Sequence, residues 1–133
     1  MPSFGTLKAD TLTHSTAGSV DTTYPISGSA KVYLNFNGSS NAIRDSLNVA
    51  SVTDVSTGIY QTNFTSSFSS ADYGHSHTNI TNVAFLGMTV DNDYVQLASS
   101  IKQRNADWTG NVANNASTND SLYFHIQEFG DLA

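Results

Sequence analysis

The chain has 133 residues, of which 38% are apolar and only 12% charged, about half the charged share of an ordinary soluble protein. Its length gives one core-bearing domain. The formal charge is −6, and of Lys8, Lys31, Arg44, Lys102 and Arg104 only the last two are close together, so the clustered cations that displace counterions from nucleic acid are missing. With no cysteine, disulfides, zinc–thiolate centres and thiol nucleophiles are excluded. No apolar run approaches the ~18 residues of a membrane span. The opening MPSFGTLKADTLTH lacks the apolar centre of an export leader, so neither a leader nor a membrane anchor is expected.

Ser, Thr and Asn take the place of the missing charges, and aromatics make up 11% of the chain. Disordered chains are poor in aromatics, whereas Thr and aromatics fit a pleated, half-buried surface. Residues 1–29 alternate briefly, at Leu7, Ala9 and Leu12 and again at Val20 and Tyr24, between Gly and Pro breaks. These runs are too short to enclose a core. They read as an extended N-terminal arm that docks on its own domain or on a neighbouring subunit, or as a frayed terminus. Residues 30–133 form the domain proper.

From Ala30 the alternation is clean: Ala30, Val32, Leu34 and Phe36 on one face, Lys31, Tyr33 and Asn35 on the other. Asn37 and Gly38 form a turn, since both tolerate positive φ. Ile43-Arg44-Asp45 reads as a corner before Leu47, Val49 and Val52. Thr53 to Gly58 reads as a turn, after which Tyr60, Thr62 and Phe64 share a face. A Ser-rich loop holds Phe68. Further strands are expected at Tyr73–Ile80, Val83–Val90 and Tyr94–Ile101. The last strand sets Leu122, Phe124 and Ile126 inside and Tyr123, His125 and Gln127 outside. Arg104–Asp120 reads as a polar loop carrying Trp108. No window keeps a helical period with caps. Short strands between turn signals predict an all-β fold, an antiparallel β-sandwich of jelly-roll or immunoglobulin-like type.

Few residues invite chemistry. Asp91 and Asp93 flank Asn92, but the run lacks the Gly and distal Glu of a calcium loop and reads as a hairpin turn. His75 and His77 project from one strand face. In a symmetric trimer such pairs would offer imidazoles to one divalent ion, whereas the plain alternative is a pair of exposed strand histidines. No Gly-x-Ser-x-Gly turn marks a hydrolytic nucleophile. Glu128 is the sole Glu, so the paired carboxylates of a glycosidase are not marked. Gly38, Gly58, Gly74, Gly87 and Gly110 stand alone, without a phosphate loop. The chain therefore reads as a non-enzyme without a cofactor. Arg44 and Asp45, pointing oppositely on an extended chain, read as stabilisers of the corner or of a subunit interface. Trp108 reads as an aromatic anchor over the core end or between subunits, with sugar stacking as the alternative.

The stretch KVYLNFNGSSNAIRDSLNVASVTDVSTGIYQTNF, Lys31 to Phe64, resembles a module of small structural proteins of tailed bacteriophages. There a strand ending near Asn-Phe-x-Gly precedes Ala-Ile-Arg-Asp-Ser, a Val-Thr-Asp-x-x-x-Gly turn and a strand ending Asn-Phe-Thr. Phe68 to Tyr73, the closing LYFHIQEFGD and the opening Thr6-Leu7-Lys8-Ala9-Asp10-Thr11-Leu12 are similar to further parts of that family. Departures are Tyr33 for the usual Trp, Ile59 for Asp, and Gln61-Thr62 for Thr-Val; residues 104–120 have no counterpart. The resemblance implies a virion protein assembled in the bacterial host cytoplasm, a tail-fibre or head-appendage component. Its implied partners are copies of itself, as a homotrimer, and other capsid or tail proteins of the phage. A capsid decoration (cement) protein that stabilises the phage head is the alternative, and a module binding a host-surface glycan is a second.

Overall fold

The computed structural model describes residues 9–80, 86–88, 95–108, 116–118, 120 and 122–133. The N-terminal unit is a hairpin of β1 (Thr11–His14) and β2 (Gly18–Asp21), followed by a short helix α1 (Thr23–Gly28). The domain then runs β3 (Ala30–Asn37), β4 (Ala42–Leu47), β5 (Val49–Ser56), β6 (Ile59–Phe64) and β7 (Gly74–Ile80). After these come β8 (Leu86–Met88), β9 (Val95–Leu97), β10 (Ser100–Trp108), β11 (Ala116–Thr118) and β12 (Tyr123–Phe129).

These strands make two antiparallel sheets. One is ordered β4-β3-β12-β7. In the other, β5 pairs β6 and β6 pairs β10, while β8, β9 and β11 also bond to β10. The chain passes between sheets after β4, β6, β7 and β11, so neither sheet can form from one continuous stretch. The all-β antiparallel sandwich expected from the alternation is the architecture observed.

The core lies between the sheets and is filled from both. Val32, Leu34 and Phe36 of β3 and Phe124 and Ile126 of β12 meet Tyr60 and Phe64 of β6 and Ile101 of β10, all buried. One end is closed by Phe68, which the sequence leaves in a Ser-rich loop. Its ring stacks on Tyr73 at 4.2 Å and meets the edge of Phe64 at 5.4 Å. The C-terminal residues hold that loop, through Ser69 N–H to the Asp131 carbonyl and Ala133 N–H to the Ser67 carbonyl. Gly130 passes so near that a Cβ there would lie 2.9 Å from the Tyr73 Cβ.

Several local readings are corrected. The Asn37-Gly38 turn exists, but Gly38 is not left-handed. The positive φ falls on Asn41, at 50°, and the Asn37 side chain accepts from the Ser40 N–H. Residues 43–45 are not a corner; they lie within β4, where a register shift opposite Asn35 and Phe36 makes a bulge. Residues 53–56 complete β5, which narrows the next turn to Thr57 and Gly58, with Gly58 at φ 69°. The expected strand Tyr94–Ile101 is split by a turn at Ala98 and Ser99, because β9 folds back on β10. Arg104 to Trp108 is no loop but the second half of β10, bonded to β8 and β11. The Asp91–Asp93 turn lies outside the described residues.

The corner itself is Asn48. It is the single residue between β4 and β5 and sits at φ 57°, a region Asn enters more readily than most L-residues. Its amide brackets Ser66, accepting from the Ser66 N–H at 2.7 Å and donating to the Ser66 carbonyl at 3.0 Å. Asn48→Ala adds left-handed strain of about 1–2 kcal/mol and removes bonds worth about 1 kcal/mol each. Asn48→Gly loses the bonds alone. Urea unfolding should therefore rank wild type above the Gly variant and the Gly variant above the Ala variant; equal stabilities for the two variants would contradict this role.

Candidate functional site

The chemically distinctive place is the inner face of β7 and β12, where the apolar core turns polar. In the antiparallel register Glu128 lies opposite His75, and Ile126 opposite His77. Paired residues present their side chains to the same face. Phe124 and Ile126 point inward, so Glu128, His75 and His77 do as well. Glu128 is fully buried, and the side chain of His77 is only 5% exposed. His75 lies further out, its ring stacked on His77 at 4.8 Å.

His77 Nε2 and Glu128 Oε1 are 3.2 Å apart. From the opposite sheet, buried Gln103 brings Nε2 to 2.9 Å from His77 Nδ1 and 2.6 Å from its Nε2. Two buried oxygens here, Glu128 Oε2 and Gln103 Oε1, have no hydrogen-bond partner among the described residues. Desolvation pushes the Glu128 carboxyl up to about 8, with His75 pulling slightly the other way, and pushes the His77 imidazole down to about 4. Near neutral pH both groups are uncharged. The Glu128 O–H then donates to His77 Nε2.

The expected same-face placement of His75 and His77 holds, but the reading of exposed strand histidines is corrected for His77. It is buried within its own sandwich because β7 turns this face inward. Arg44 and Asp45 also depart from expectation. The bulge in β4 brings both to the outer face of the four-stranded sheet, where Arg44 lies 4.1 Å over the Tyr123 ring and Asp45 bonds the Tyr33 hydroxyl. No ion pair joins them among the described residues. Trp108 ends β10 opposite Ala116. The Gly58 N–H donates to Asp120 Oδ1 at 2.8 Å, and the same oxygen takes the Tyr60 hydroxyl at 2.6 Å.

Glu128 and Gln103 are the residues that sequence reasoning missed. Both carry a usable signal, since each continues the inward parity of a neighbour, Glu128 after Phe124 and Ile126 and Gln103 after Ile101. No protein-family model, curated protein or solved structure matches this chain.

The two shifted groups give a signed pH dependence. Glu128 holds its proton more tightly when folded, so its contribution is full below pH 4.5 and is lost as pH rises towards 8. His77 behaves oppositely: its contribution is full above pH 6.5 and is lost as pH falls towards 4. The two offset each other between pH 4.5 and 6.5. Above that only Glu128 changes, so the melting temperature should fall between pH 6.5 and 8. Glu128→Gln, which has no proton to lose, should flatten this decline; an unchanged slope would show that Glu128 does not cause it.

Proposed function

We propose that the chain is a bacteriophage virion structural protein, a tail-fibre or head-appendage component that assembles as a homo-oligomer, a homotrimer in the leading form. The N-terminal unit is the observation that carries this reading. None of its described side chains is buried, yet Leu12, Val20, Tyr24 and Ile26 are 43, 42, 73 and 60% exposed. An isolated two-stranded hairpin and a short helix are at best marginal in water. Such a segment gains stability by covering its apolar residues on another surface.

The unit is tethered to the sandwich rather than packed into it. Lys31 Nζ donates to the carbonyls of Ile26 and Ser29, and Ser27 Oγ donates to Asp131 Oδ1 at 3.4 Å. The phage-like stretch Lys31–Phe64 supports the reading, since it supplies β3 to β6 and thus strands of both sheets. So does the outer face of the six-stranded sheet, where the Asn63 amide bonds Ser51, Thr53 and Gln61 without a charge. A face of this kind packs against identical chains without desolvating ions. The work is mechanical: the arm fixes the subunit and the sandwich is displayed.

A capsid decoration protein would use the same arm against the phage head. Light scattering on the full chain should give three times the chain mass, and Tyr24→Ser with Ile26→Ser should reduce it to one. A monomeric wild type would contradict self-assembly. Binding of that monomer to phage shells lacking the protein would favour decoration. Glycan binding abolished by Trp108→Ala would favour the host-surface reading.

A further inference from the structure

We propose that the N-terminal unit of one chain docks on the outer face of the six-stranded sheet of a neighbouring chain, where β9 meets β10. The inference rests on the self-assembly reading and deepens it, by naming the surface that receives the arm. Ile101 and Gln103 point into the core, so Ser100 and Lys102 face outward. Leu97 lies opposite Ser100 and Val95 opposite Lys102, which sets both apolar side chains on that outer face. They are 50 and 38% exposed. Lys102 beside them joins no ion pair among the described residues. Gln61 and Asn63 extend the same face across β6.

The arm carries the matching surface. Leu12 and Val20 are directly opposite in the β1–β2 hairpin and share one face. Asp10, two residues before Leu12, takes the Thr22 N–H on its carbonyl, so the register keeps it on that face. Leu12, Ala17, Gly18 and Val20 line an open hollow of about 360 Å³, which admits an aliphatic side chain such as Leu97. Both surfaces thus read as two apolar side chains beside one charge. The charge is negative on the arm, whose residues 9–28 hold Asp10 and Asp21 but no Lys or Arg. It is positive on the sheet, where Lys102 and Arg104 face out from β10. An exposed ion pair adds little affinity; the apolar contact supplies the attraction, and Asp10 against Lys102 selects partner and register. Within one chain Lys31 and Asp131 hold the arm without burying any of its described side chains, so the arm does not cover its own sheet. The contact joins two different patches and is therefore head-to-tail, a geometry that closes into a ring when the rotation fits; three such steps make the homotrimer.

The chain has no cysteine, so the full chain carrying Leu12→Cys and Leu97→Cys reports the contact when oxidised. The expected product is chains linked to one another by disulfides, three in the closed form, with neither single variant giving it. By light scattering, Leu97→Ser should raise the assembly midpoint at least about fivefold, the scale of a truncated interface anchor. Lys102→Glu should weaken assembly as well, and Asp10→Lys added to the same chain should restore it. A wild-type oligomer that forms no disulfide between chains, and whose midpoint neither Leu97→Ser nor Lys102→Glu moves, would overturn this docking and leave self-assembly standing. A disulfide closed within one chain would also overturn it, by returning the arm to its own sheet. A monomeric wild type would remove the self-assembly reading, and this inference with it.

Discussion

The sandwich depends on one residue reaching across it. Tyr60 leaves β6 in the six-stranded sheet and enters the aromatic cluster of the other sheet, fully buried. Its ring meets Phe36 edge-on at 5.2 Å and Phe124 at 6.1 Å. Aromatic pairs of this kind add about 0.5–1.5 kcal/mol each beyond the area they bury. The phenol is not left unsatisfied, because Asp120 takes its hydroxyl, and burial with that carboxylate holds it in the neutral form. Two residues on, Thr62 keeps the same inward parity, and Phe64 after it carries the second cluster with Phe68 and Tyr73. A one-residue slip of β6 would turn this whole set outward, so the register of the strand is strongly specified.

The same principle explains why a polar group can persist beside this core. Burying Glu128 and His77 costs more than burying two apolar side chains, and such pairs are weak evidence for stability. Their value here lies in alignment. If β7 slipped by one residue against β12, His77 would turn to solvent and Glu128 would remain buried without its partner. β7 is an edge strand of its sheet, the position where register is otherwise least constrained. The bulge in β4 and the left-handed Asn48 act at the opposite edge, turning the chain from one sheet into the other within a single residue.

The parts of this fold legible in the sequence are those where hydrophobic alternation and burial coincide. β3, β6 and the inner face of β12 follow directly from Val32, Leu34, Phe36, Tyr60, Phe64, Phe124 and Ile126. β10 was obscured because backbone bonds to strands on both sides define it, while its second half carries Arg104, Asn105 and Asp107 in place of an apolar stripe. Of the residues that usually mark a turn, Ala98-Ser99 offers only Ser99, a weak signal in a chain this rich in Ser, which hid the β9–β10 hairpin. The charges at Arg44 and Asp45 suggest a corner, whereas the true corner, Asn48, lies between two apolar residues with only its amide to mark it. The polar cluster was half visible: the His75-x-His77 spacing showed a shared face, but not that the face was internal. Glu128 is hard to place from sequence because a lone carboxylate near a chain end is ordinarily solvated, although its parity sets it beside Ile126.

The facing of the two sheets through Tyr60 is the claim on which the placement of every other group rests. It can be observed in solution by nuclear Overhauser spectroscopy on protein with selectively protonated Phe and Tyr rings. Cross-peaks from the Tyr60 ring to both Phe36 and Phe124 are the result this account predicts. A spectrum in which Tyr60 contacts neither ring would separate the sheets and contradict it.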